Sequence, residues 1–140
     1  MTEAALRDYF EGRLSAADLA QDVRGSQVRS SHDVISVRVV QISEGEFNVS
    51  KMHLLKLCDD VIVNRLSTAD LNTIAFALMT SEYFSLNDGT PDGDVIADTV
   101  FQWDNPEIGY ELTIENVMRW KARLESGVDL FDPSELKRRK

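Results

Sequence analysis

The sequence predicts a mainly helical α+β domain, a bundle of about five or six helices carrying one short β-hairpin. Apolar residues recur at three- and four-residue spacing through most of the chain, and cap-forming residues stand just before those runs. Only one stretch, residues 33–42, is dense in β-branched side chains.

From the N-terminus, residues 2–11 place Leu6, Tyr9 and Phe10 on one face, with Thr2 as N-cap and Gly12 positioned to end the helix. Ser15, followed by Asp18, caps a second short helix carrying Leu19 and Val23, and the two make a helical hairpin. Residues 25–27 with Ser30 and Ser31 read as a connection. Residues 33–42 then read as a strand, residues 43–46 as a turn, and residues 47–49 as the returning strand. Val34 beside Ile35 and Val39 beside Val40 break strict alternation, so a buried helix is the alternative reading of that stretch. Two strands alone are marginal in water. The ribbon is therefore expected to lie on helices, to recruit Tyr110, Glu111 and Leu112 as a third strand, or to pair with a second copy, which leaves monomer and homodimer both open.

The rest is more plainly helical. Ser50 caps a helix with Leu54, Leu57, Cys58, Val61 and Ile62 at core spacing. Residues 64–66 make a brief connection that should set the next helix nearly antiparallel to it. Ser67 or Thr68 caps that helix, which bears Leu71, Ile74, Ala75, Leu78 and Met79. After polar residues 85–90, Thr90 as N-cap and Pro91 at the first helical position open a helix with Val95, Ile96, Val100 and Trp103. Asp92 and Asp94 face its N-terminal dipole favourably. Thr113 opens a last helix with Ile114, Val117, Trp120 and Leu124 on one side, ended by Ser126 and Gly127. Residues 136–140 form a basic tail, expected to be frayed.

With 140 residues the chain fits one domain spanning residues 1–140, because two halves would each fall near the size at which a core becomes marginal. Its 43% hydrophobic content is that of a chain that folds. No apolar run reaches the roughly 18 residues of a membrane span, and the N-terminus lacks the basic-then-apolar order of a signal peptide. The expected location is the cytoplasm. A net charge of −9 repels nucleic acid and anionic membranes, so neither is an expected partner and a cationic protein is. The distribution sharpens this. No Lys or Arg lies between Arg65 and Arg119, while that stretch holds Asp70, Glu82, Asp88, Asp92, Asp94, Asp98, Asp104, Glu107, Glu111 and Glu115.

Catalytic signals are sparse, and the reading is of a protein that is not an enzyme and carries no cofactor. Cys58, the single cysteine, stands among Leu54, Leu55, Leu57 and Val61 as a core residue rather than a nucleophile. Asp88, Thr90, Asp92 and Asp94 fall at alternate positions of a loop with Gly93 at its sixth position, as in an EF-hand. The twelfth position is Thr99 rather than a bidentate Glu, which favours an acidic helix-capping turn and no metal site. Asp59 and Asp60, neighbours about 100° apart on a helix, cannot share one atom and read as a solvated face. Asp94 and Asp98 share a face as potential acid and base, with no His or Lys nearby in sequence. His32 and His53 sit in no ligand spacing and read as structural or exposed.

The most distinctive stretch is residues 101–111, where aromatics and acids alternate around Pro106 and Gly109. Trp103 and Tyr110 ringed by carboxylates suit an interface hot spot, while the plainer reading has them closing the core. Residues 54–60, 73–78 and 105–110, followed by 112–117, resemble a group of small acidic bacterial proteins, over roughly residues 47–124. That group is associated with immunity partners of bacterial toxins. The resemblance implies a small, acidic, helical protein that neutralises a basic toxin domain by one-to-one binding. The expected partner surface is Asp92, Asp94, Asp98, Trp103, Asp104, Glu107, Tyr110 and Glu111, with carboxylates supplying the field and aromatics the anchors. The other reading is a divalent-ion-binding or regulatory homodimer using the loop from Asp88 to Asp94.

Overall fold

The computed structural model describes residues 1–24, 27–31, 34–37, 39–86 and 89–131, with backbone alone for 27–31 and 34–37. Six helices and four short strands form among these residues, giving an α+β, mainly helical fold. The expected tail at 136–140, Asp88 and His32 lie outside the described residues.

Helix α1 (Glu3–Phe10) begins where Thr2 Oγ1 accepts the Ala5 N–H at 3.1 Å, and Gly12, at φ +82°, takes the left-handed turn that follows it. Helix α2 (Ala16–Arg24) starts with Ser15 Oγ accepting the Asp18 N–H at 3.1 Å. Strands β1 (Gln27–Ser31) and β2 (Val34–Val37) pair antiparallel, Gln27 opposite Val37. Strand β3 (Phe47–Asn48) pairs in parallel with β4 (Phe84–Ser85). Helices α3 (Lys51–Ile62), α4 (Thr68–Thr80), α5 (Pro91–Asp104) and α6 (Ile114–Ser126) complete the fold.

The hairpin is therefore present but displaced. Residues 34–37 pair backwards with residues read as a connection, not forwards with 47–49. Ser31 lies opposite Val34, so this pairing closes a much shorter loop, at a smaller entropic cost, than one across residues 38–46. Phe47 is drawn elsewhere: its ring lies 5.4 Å from Phe84 and 5.8 Å from Phe10, and its N–H donates to the Tyr83 carbonyl at 2.8 Å. Tyr110, Glu111 and Leu112 form no third strand; they run as loop into α6.

The core joins all six helices. Leu6, Leu19, Leu54, Leu71, Trp103 and Trp120 are fully buried, each large aliphatic side chain contributing on the order of 1.5–3 kcal/mol. The chief packing partner of α3 is α6, and that of α4 is α5. Cys58 is buried as expected, and burial, with Asp59 beside it, pushes its thiol up to about 12.

Three carboxylates are buried with partners. Glu3 Oε1 accepts the Ile42 N–H at 2.8 Å and its Oε2 accepts the Ser81 hydroxyl, whose oxygen in turn accepts the N–H groups of Tyr83 and Phe84 at 3.0 and 2.9 Å. Asp70 opens α4 in a capping box with Ser67. Asp60, read with Asp59 as a solvated pair, is instead buried and accepts the Tyr9 hydroxyl proton, because its side of α3 faces α1. Asp59 does face outward and pairs with Lys121 at 2.8 Å.

Candidate partner-binding face

Helix α5 and the loop after it carry the expected surface. Thr90 Oγ1 accepts the Gly93 N–H at 3.0 Å, Pro91 occupies the first helical position, and Asp94 accepts the Gly89 N–H at 2.9 Å. The sequence motif that resembled an ion-binding loop thus serves, in its described part, to start a helix. Asp92 is exposed yet paired with Lys51 at 3.0 Å, and Asp98 is paired with Arg123 at 2.8 Å, which removes the Asp94 and Asp98 pair as a free acid and base. Glu115 lies 3.8 Å from Arg119. Among the described residues no group of three His, Cys, Asp or Glu side chains could hold a metal ion.

The carboxyl end of α5 differs. Asp104 lies in the last turn, which has no basic residue, and Glu107 and Glu111 follow in the loop, both exposed. Among the described residues none of these three makes an ion pair. Asp104 sits at the negative end of the helix dipole, where a cation would be favoured. Partial burial and the neighbouring Glu107 charge both hold the Asp104 carboxyl above its ordinary range.

Trp103 and Tyr110 are corrected from anchors to core. Trp103 is fully buried on the face of α5 that carries Ile96 and Val100, edge-on to Trp120 at 6.3 Å. Tyr110 is 7% exposed beneath Phe131, whose ring lies 4.3 Å away. Both rings are packed into the core, so neither is free for a partner.

Phe101, passed over in the sequence, is 44% exposed. It stands two residues from Trp103, about 200° round the helix, so burying one ring turns the other outward. Phe101 also sits three residues from both Asp98 and Asp104, which makes it the aromatic on the acidic side of α5. Ile114 and Met118, one turn apart on α6, are exposed as well, at 44% and 55%. The signal for Phe101 is helical phase; Ile114, expected on the apolar side of the last helix with Val117, Trp120 and Leu124, is instead half exposed, because only the latter three turn into the core.

His53 has a structural role. Its Nδ1 accepts the Ser50 N–H at 2.9 Å at the start of α3, so the ring holds its own proton on Nε2. Burial, then the Lys56 charge, lowers its pKa and keeps it neutral for that task.

No helix among the described residues is long and apolar enough to cross a membrane. No family model matches the chain, and no curated protein or solved structure is significantly similar to it.

Proposed function

We propose that this protein is a non-catalytic binding protein, acting in the cytoplasm, that covers a basic protein partner in the manner of a bacterial immunity or inhibitor protein. The observation that carries the reading is the trio Asp104, Glu107 and Glu111 at and beyond the carboxyl end of α5, none of which makes an ion pair among the described residues. Like charges crowded at the wrong end of a helix dipole cost stability, and such a cost is kept where a partner supplies the missing cation. Phe101 replaces Trp103 as the aromatic anchor, while Asp94 adds to the field and Asp92 and Asp98 are held by internal partners.

Charge reversal tests it. Tagged wild-type protein and an Asp104→Lys, Glu107→Lys variant are used at low salt to capture proteins from lysate of the native source, with elution in a rising salt gradient. The reading predicts a basic protein retained one-to-one by the wild type, released by salt and lost from the variant. Equal retention by both would reject this surface, and recovery of the chain alone while candidate partners are expressed would reject the function.

A further inference from the structure

Away from α5, a cavity of about 500 Å³ opens between the end of α1, the start of α2 and one face of α3. Tyr9, Leu14, Ala16, Lys56, Asp60 and Arg65 line it. Lys56 and Asp60 are one turn apart on α3, so their side chains emerge together beneath the loop that joins α1 to α2. Asp60 is 7% exposed and held from two sides: the Tyr9 hydroxyl donates to one oxygen, and the Arg65 guanidinium lies 3.4 Å from the other. Burial and the Asp60 carboxylate raise the Tyr9 phenol well above its ordinary value, so it stays a donor.

The donors around this floor are not all used. An ammonium has three N–H groups, and Lys56, held 4.3 Å over the Tyr9 ring, directs one to the Tyr9 carbonyl. Arg65, its side chain 69% exposed, makes one long contact to Asp60 and has a fork of other N–H groups. The first N–H groups of a helix have no partner within it, and Ala16 and Ala17 bring those of α2 to the cavity rim. Two cations against one carboxylate give this cavity a positive balance in a chain of net charge −9. Leu14, the alanines and the Tyr9 ring supply apolar wall, and the volume lies within the range of about 300–1,000 Å³ of small-molecule sites.

We propose that this cavity binds a small oxyanion, a phosphate or carboxylate group on a compact apolar body. Lys56 and Arg65 hold the oxygens, and Leu14 and Ala16 cover the body. This site is independent of the acidic face on α5.

The test is an NMR titration of the ¹⁵N-labelled full chain with phenyl phosphate and, separately, benzoate, with benzyl alcohol as the uncharged control. Saturable amide shifts centred on Gly12, Ser15, Ala16, Ala17, Lys56 and Arg65 are expected with at least one anion and not with the alcohol. Whichever anion binds more tightly identifies the oxyanion. Arg65→Met should weaken binding about tenfold, as loss of a charge-assisted hydrogen bond does. Ala17→Glu places a carboxylate at the rim, where the α2 dipole accepts it, and should abolish binding with the unfolding temperature unchanged. No saturable shift with either anion, an equal response to benzyl alcohol, or unchanged affinity in both variants would overturn the proposal.

Discussion

The guanidinium of Arg24, in the last turn of α2, donates to both oxygens of Asp70 at the start of α4, at 2.9 and 3.3 Å. The same carboxylate accepts the Ser67 N–H at 3.0 Å, so one buried side chain caps α4 and ties it to α2. Asp70→Ala removes a cap and an ion-pair partner together and should cost about 2–4 kcal/mol. Arg24→Ala, where the lost group is 60% exposed, should cost about 1 kcal/mol. Urea unfolding of the two single variants and the double variant measures the coupling; additive effects would show that cap and bridge act separately.

Glu3 links α1 to residues 42 and 81 through both carboxylate oxygens. Glu3→Ala leaves the Ile42 N–H and the Ser81 hydroxyl without their acceptor in a buried site, and a loss of about 3 kcal/mol is expected. Glu3→Gln keeps one acceptor and should lose less, a ranking that denaturation midpoints check directly.

Stability should also depend on pH through His53. Its pKa is lowered from 6.5 in the fold, so the unfolded chain takes up the proton first as pH falls. The contribution is complete above about pH 6.5 and is lost as pH drops through the folded value. His53→Gln retains an acceptor for the Ser50 N–H and should flatten the urea-midpoint profile between pH 8 and 5. An identical slope in the variant would assign the dependence elsewhere.

Asp104 has the opposite sign. Its raised pKa means that the folded chain holds the proton more tightly, so stability is greatest below the unfolded value of 3.8 and is lost as pH rises through the folded one. At neutral pH Asp104→Lys should raise stability by up to about 0.5 kcal/mol, a small figure because the site is largely solvated and screened. The same substitution should slow association with a basic partner at low salt. A variant that is both less stable and equally fast would contradict the account of this face.

The two tryptophans should separate in mutagenesis. Trp120 Nε1 donates to Gln102 Oε1 at 2.6 Å, whereas Trp103 Nε1, though buried, has no partner among the described residues. Trp120→Phe loses a hydrogen bond as well as volume, so it should cost about 1 kcal/mol more than Trp103→Phe. Calorimetric unfolding of the pair of variants reads the difference.

How far the sequence determined this protein depends on the range of the interaction involved. Thr2, Ser15, Ser67, Thr90 and Thr113 start helices and Gly127 ends one, because capping joins residues within a turn of each other. The apolar period likewise located the four later helices and the burial of Cys58. Only the tertiary structure decided which short strands pair, since Phe47 reaches Phe84, 37 positions further along the chain, through packing that no local pattern records. It alone buried Trp103 and turned Phe101 outward, paired Asp92 with Lys51 and Asp98 with Arg123, and sank Asp60 beneath Tyr9. Charge and periodicity name the residues available to a site; distance and burial, set by long-range packing, select which of them face a partner.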